Sequence, residues 1–573
     1  MIPTPGSAPS AQAEADAVGA ALLLIVGGIA LAMLVAALHR SGSPPVRLIL
    51  GLAWALQLVG GIALIGALVH RALKAPSAAA LLAAAAPILF FGYSAVRLAT
   101  SVFSEDDEIY SWNLWAIQHF LGLAPDFHYT SAPYPQGFSL WIASVYGALG
   151  GFELQSLARL TIALSTLLYF AAMFHVCRLS RGASALAATV AMALLWFPIG
   201  LRREFPVGLA DPPMAALLMV SVALTIRYAA DPQRWLPLAG AALAAIAAAY
   251  TKQAALIWGC FSFPLVMALG VWRLGWPRRA AIVGAVAAAA CLLWPLVIGA
   301  GFENNQGVLT RSLGSRSLIE QLQFAAGEYL LGKPAFLLML LLAVPLAMAR
   351  PVLRWVCLLF LAPGLLSWFV WGAYDLRLGI HVVGVTGLLL VAGIDGVLPP
   401  RQAPAPRPMP ARWRAAGAVA AVVATLALAG WRVVDIAGRD HVDLANGPRQ
   451  AFRAHFNSDG DALFSSIVAQ QSRVWSTSNY AYGLVYGHTS VGRPDYARQP
   501  FDRAELLRQL VGFRAQMVID GGKVAFGPAA EVLRELLRAC PGPFTALVLP
   551  PNRHDYAVHA VDIGKLEKGE CTS

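Results

Sequence analysis

The sequence predicts a polytopic α-helical membrane bundle of about 13 transmembrane helices, followed by a small C-terminal α/β domain outside the membrane. Three observations carry this: the composition, a succession of apolar stretches with basic residues between them, and a change of character after residue 431. Of 573 residues, 58% are hydrophobic and only 13% charged, with a mean hydropathy of +0.63. That places the chain in the membrane class rather than among soluble multidomain proteins. The net charge of +11 does not indicate a nucleic-acid partner. Arginines between apolar spans mark loops that face the cytoplasm.

The N-terminal residues MIPTPGSAPSAQAEADAVGA have no basic region and carry two acids, so the first apolar run reads as an uncleaved helix. Candidate spans follow at 17–38, 47–69, 78–100, 157–177, 184–200, 207–227, 235–250, 253–271, 279–299, 335–349, 352–371, 377–397 and 413–431. Several are shorter than the roughly 20 residues a span needs. The stretch 137–150 is left out, because counting it would invert every later loop. Its GFSLWIASVYGAL composition suits an interfacial helix, with Trp141 and Tyr146 at headgroup level.

Basic residues set the orientation. With the N-terminus in the cytoplasm, the inner connections hold Arg71, Lys74, Arg178, Arg181, Arg227, Arg234, Arg273, Arg278, Arg279, Arg350 and Arg354, then Arg401 to Arg414. The outer segment 101–156 has no Lys or Arg. That is the positive-inside pattern, with Arg40 and Arg47 in the first outer turn as its exception. The expected membrane is therefore the bacterial cytoplasmic one, crossed many times, with the C-terminal domain periplasmic.

The last inner connection, LPPRQAPAPRPMP at 398–410, reads as an extended Pro-rich cytoplasmic linker. After the final span, strand-like runs at RVWSTS, AQMVID, FTALVLP and YAVHAVDI alternate with helical patterns at DRAELLRQLVGF and GPAAEVLRELLRAC. Such alternation marks a small α/β domain. The expected organisation is thus an N-terminal helix pair (1–77) and a core (78–400) with its first external loop at 101–156. The linker and last helix (401–431) and the external domain (432–573) complete it. Four of the six cysteines, Cys177, Cys260, Cys291 and Cys357, fall in or beside spans and read as small buried apolar residues. Cys540 and Cys571 lie in the external domain, where they are either a disulfide or two free thiols. No Cys/His spacing resembles a zinc site.

Sorted by side, the polar residues are asymmetric. The outer connections carry SEDDEIYSWNLWAIQHF, SAPYPQG, LRREFPVGLADPP, YTKQ, GFENNQG and AYDLRLGIH, while the midplane holds little charge. A transporter more often places ionisable residues halfway across, in matching positions of two repeats. The bundle instead reads as a scaffold for a site at its outer rim.

Four adjacent acids, Glu105, Asp106, Asp107 and Glu108, close the third span. They repel one another, so one of them titrates high or they hold a cation. Capping of a following helix by Ser104 explains two of them but not four. Asp211 precedes two prolines and reads either as a plain N-cap or as a functional acid. Arg202 and Arg203 either bind phosphate or sit at the interface. Lys252 either snorkels from a span end or joins Arg377 and His381, one helical turn apart, in holding a phosphate group at the membrane surface. Trp112, Trp115 and Tyr134 either line a sugar pocket or anchor the loop. The loop 301–334, with Glu303, Asn304, Asn305, Arg311 and Arg316, either orders over a bound lipid or is a plain surface connection.

These pieces together resemble the C-type (GT-C) membrane glycosyltransferases, a superfamily that includes the lipid A aminoarabinose transferases and the protein O-mannosyltransferases. Asp106-Asp107-Glu108 followed by Tyr110 and Trp112 is similar to the family's acidic motif in the first external loop. Tyr134 to Gly137, YPQG, resembles its "YPPG". TKQ at 251–253 looks like a recurrent helix-end motif, the Asp211 loop like the second acidic loop, and YDLRLGIH like the late-helix arginine motif. The resemblance covers roughly 78–400. Two helices, rather than one, precede the acidic loop, and Leu378 and Gly379 replace the residues expected after the arginine.

The resemblance implies transfer of a sugar from a polyprenyl-phosphate donor to a hydroxyl of a lipid, glycan or protein acceptor, with inversion. Asp107 would be the general base, with Asp106 and Glu108 beside it. Arg377, Lys252, His381 and Arg203 would hold the donor phosphate. Asp211 and Glu105 would position the acceptor or hold a divalent metal such as Mg or Mn, which family members use variably. Tyr110, Trp112 and Tyr134 would face the sugar. Rival readings are a flippase of lipid-linked sugars, which needs a polar path across the bundle, and an outer-leaflet polymerase or ligase, which relies on external Arg and His. A mere anchor for the C-terminal domain would need one span.

Overall fold

The computed structural model describes residues 9–397 and 459–571, except 39–43, 76, 100–102, 104–106, 124, 126–133, 154, 178–181, 299–315, 373–374, 495–500, 523–527 and 549–554. The Pro-rich linker and the expected last span therefore lie outside the described residues, as does most of the polar part of the 301–334 loop. Every other expected span is helical. Among the described residues, eight helices are long and apolar enough to cross a membrane: Ala17–Val35, Val46–Leu73, Ala78–Ala99, Gln155–Val176, Asp211–Ala230, Gln253–Leu274, Pro351–Gly372 and Leu376–Asp395. They make this a multi-pass membrane protein. Leu318–Leu331 and Pro334–Met348 meet at 93°, as a broken span or a re-entrant pair. Ala183–Ile199, Trp235–Thr251 and Arg279–Leu293 are apolar helices of shorter length.

Side-chain to backbone hydrogen bonds link neighbouring helices where apolar packing alone gives little direction. Tyr169 donates to the Ile380 carbonyl at 3.0 Å. Ser262 donates to Leu359 O at 2.7 Å. Ser221 donates to Ala241 O at 2.7 Å while accepting from the Trp258 indole at 2.7 Å.

The stretch 137–150 corrects an expectation. It forms the helix Gly137–Leu149, but Trp141 and Tyr146 do not face headgroups; both are fully buried. The reason lies in the two extra N-terminal helices, Pro9–Leu38 and Pro44–Leu73, which pair and pack on it. The Trp141 indole donates to Gln57 Oε1 at 2.8 Å, and Trp54 of the same partner helix donates to Thr161 at 3.0 Å. The N-terminal pair therefore walls in the helix Gly137–Leu149.

The C-terminal domain holds a five-stranded sheet: β1 (Val474–Ser476), β2 (Val491–Gly492), β3 (Met517–Asp520), β4 (Phe544–Val548) and β5 (Ala557–Val561), in the order β2-β1-β3-β5-β4. β1 pairs parallel with β2 and β3, and β5 pairs antiparallel with β3 and β4. Strand alternation splits the core in two. Val474 and Ile519 face Leu463, Phe464 and Leu484 on one side, while Trp475 and Val518 face Leu506, Leu533 and Leu536 on the other. All four expected strands are present; the two-residue β2 has too little sequence to be read. Cys540 and Cys571 are disulfide-bonded.

Candidate active site

Asp107 opens a π-helical turn, Glu108–Asn113, that continues as the helix Leu114–Phe120. Three successive side chains here are held in three directions. Asp107 Oδ2 accepts from the Arg377 guanidinium at 2.9 Å. Glu108, fully buried, accepts from Arg159 at 2.8 Å through Oε2 and from the Gly208 backbone N–H through Oε1. Ile109 packs among the apolar residues of the C-terminal domain. Farther along, Asn113 Oδ1 accepts from Tyr146 at 2.6 Å. Glu105 and Asp106, expected in the site, lie outside the described residues, as does the Tyr110 side chain.

Capping does not explain the acids. The Asp107 carboxylate makes no cap hydrogen bond to the turn it starts. Asp211 is likewise no N-cap: the helix it opens has proline in its first turn, and its side chain turns aside to accept from Lys252 Nζ at 2.5 Å. That pair is almost wholly buried. An ion pair enclosed in this way is costly to desolvate, so its retention is better explained by a task than by stability.

Arg377 joins the two acidic segments. Asp375 accepts from its backbone N–H at 2.9 Å and stands 2.7 Å from its Nε, so the guanidinium lies between Asp375 and Asp107. The Arg377 and Asp107 side chains keep 26% and 38% of their exposure, so this is the open side of the group. His381 is buried one turn further on, close enough to Asp211 and Lys252 to feel both charges, and its Nδ1 has no hydrogen-bond partner among the described residues.

Tyr134 completes the group. Burial, then the charges of Asp107 and Asp211, push its phenol above the ordinary value, with the Gln253 side chain beside its hydroxyl. It stays a neutral hydrogen-bond donor at physiological pH. Its ring stacks on Trp115 at 6.1 Å and meets Trp112 edge-on at 5.8 Å. Trp112 and Trp115 are buried, so they support the loop from beneath rather than anchoring it in headgroups. Both short motifs have a packing reason as well. A Cβ at Gly137 would lie 2.4 Å from the Tyr250 carbonyl, so only glycine lets YPQG seat against the end of the helix at which TKQ begins.

Sequence reasoning missed two acids. Asp375 stands in the quoted YDLRLGIH, two residues before its arginine. Glu204 follows the Arg202-Arg203 pair; burial and then Asp375 hold its carboxyl above the ordinary value, with Arg377 opposing. A carboxylate beside each expected phosphate-binding arginine was the available signal. Arg203 itself is exposed on the four-residue helix Leu201–Glu204, outside this ion-pair group. Among the described residues no three Asp, Glu, His or Cys side chains are placed to share a metal ion. Asp107, Glu108 and Asp211 each face a cation of the protein, while Glu105, expected beside Asp211 for a metal, lies outside the described residues.

No family model matches the chain, and no curated protein matches it.

Proposed function

We propose that this chain is an inverting glycosyltransferase of the GT-C kind, with about 13 transmembrane helices, that moves a sugar from a polyprenyl-phosphate donor to an acceptor hydroxyl at the periplasmic face of a bacterial cytoplasmic membrane. The observation that carries this reading is the Asp107–Arg377–Asp375 array beside the Asp211–Lys252 pair. Segments more than 250 residues apart bring a partly open carboxylate and two cations to one end of an apolar bundle, where a lipid phosphate and a polar acceptor meet.

Without substrate, Arg377 holds the carboxylate that the reaction needs. A donor phosphate is a competing anion with better bidentate geometry for a guanidinium. Its arrival on Arg377 releases Asp107. Asp107 then takes the proton of the acceptor hydroxyl as that oxygen attacks the anomeric carbon. The bond from the anomeric carbon to the phosphate oxygen breaks, its electron pair stays on that oxygen, and polyprenyl phosphate leaves. No acid need protonate this leaving group, unlike in glycoside hydrolysis; Arg377 and Lys252 offset its charge. Tyr134, neutral and donating, suits a hydroxyl or phosphate oxygen. Glu108 acts as a strut rather than as a second base.

The test is release of free polyprenyl phosphate in proteoliposomes given a panel of polyprenyl-phosphate sugars and a mixed acceptor extract. Sugar-dependent release by wild type, lost in Asp107→Asn, is expected. Absence of release, with the sugar lipid crossing the bilayer instead, would replace the transferase by the flippase reading.

A further inference from the structure

The residue after the two acids belongs to another domain's core. Ile109, in the π-helical turn, is 2% exposed and belongs to one buried apolar cluster with Phe464, Ile467, Ala481, Leu484 and Val485 of the C-terminal domain. The contact is tight at the backbone too. A Cβ built on Gly483 would lie 2.8 Å from the Ile109 carbonyl oxygen and 3.0 Å from its Cγ2. Glycine at 483 lets the helix Asn479–Val485 rest directly on the turn. A second contact lies about two helical turns along, at Ile117. Gly487, at φ +84°, sits against Ile117 and Phe152, and the His488 ring is held between Phe152 at 5.0 Å and Phe464 at 5.2 Å.

We infer that the C-terminal domain is a positioning part of the active site, setting the orientation of Asp107 by holding the turn that follows it. The inference rests on the proposed role of Asp107. A π-helical turn of six residues, with no side-chain cap at its start, does not persist by its own hydrogen bonds. Its geometry comes from what grips it: Arg159 and Gly208 through Glu108 on the bundle side, and the apolar socket around Ile109 on the domain side. Asp107 and Ile109 are separated by one residue, so a shift of the socket moves the carboxylate relative to Arg377. Misplacement of a reacting group by about 1 Å costs on the order of 10²-fold in rate. The domain thereby acts on the reaction without supplying a reacting group.

The test uses the full chain in proteoliposomes. Gly483→Ala places a methyl group against the Ile109 carbonyl and pushes the helix off the turn. Amide hydrogen exchange of 108–114 is expected to accelerate by about tenfold or more, while β1 and β3 exchange as in wild type. In the same preparation kcat for sugar transfer falls by about 10²-fold with donor KM little changed. Ile109→Ala gives the same pair of effects and Ile109→Val a small fraction of them, so the result does not depend on one variant folding. A merely structural contact would lower the amount of folded protein while leaving kcat per folded molecule unchanged, and that outcome overturns the inference. So does unchanged exchange at 108–114 in both Gly483→Ala and Ile109→Ala. If wild type transfers no sugar at all, the transferase reading fails instead, and the exchange comparison still decides whether the domain holds the turn.

Discussion

At the scale of single residues, adjacent acids with the same charge have different duties because their partners differ. Asp107 faces an arginine at an open rim, whereas Glu108 is enclosed with Arg159. Glu108→Ala leaves Arg159 charged and buried, and is expected to cost about 3–5 kcal/mol of stability. Thermal unfolding in detergent checks this, with partial recovery expected when Arg159→Met is added. Arg377→Lys keeps the charge but removes the fork that lies between Asp375 and Asp107; donor KM is expected to rise about tenfold, read in the release assay. The sequence marked the acidic run, Asp211, Lys252 and Arg377 as one-sided and polar. It did not separate strut from site residue, because the partners of Glu108 lie 51 and 100 residues away. No local pattern encodes such a pairing. Asp375 and Glu204 were passed over because arginine drew the reading toward phosphate and away from the carboxylates beside it.

At the scale of elements, the helix Gly137–Leu149 shows how composition misleads about surroundings. Trp and Tyr in a short apolar helix suit an interface, yet the same rings fill a gap between helices once a preceding pair encloses them. Gln57, inside an otherwise apolar helix and bonded to Trp141, was the local trace of that packing. The loop that carries His488 has its own pH signature. Burial holds this imidazole below its ordinary 6.5, with Glu153 opposing weakly. The unfolded chain therefore binds the proton that the folded chain refuses. Stability is expected to fall as pH drops below 6.5 toward the lowered folded value, and to level off beyond it. His488→Gln should flatten that part of the melting-temperature profile.

At the scale of the whole molecule, the membrane class, the succession of helices and the separate α/β domain were legible because each rests on composition or period. What was not legible is how the domain and bundle meet: an isoleucine seated in a foreign core and a histidine held against Phe152 leave no sequence pattern. The domain has its own closure as well. The Cys540–Cys571 bridge spans 31 residues, and a loop of that length contributes roughly 3–4 kcal/mol through the unfolded chain. Reduction is expected to lower the melting temperature of the domain while leaving sugar transfer intact at temperatures where it stays folded.

The most direct measurement is the steady-state kinetics of Asp107→Asn against wild type with a polyprenyl-phosphate sugar. If Asp107 is the base and also the anion that the donor phosphate displaces from Arg377, kcat falls by about 10²–10⁴-fold while donor KM falls or stays level, because the competitor has lost its charge. An unchanged kcat, or a raised donor KM as the main effect, would contradict that double role.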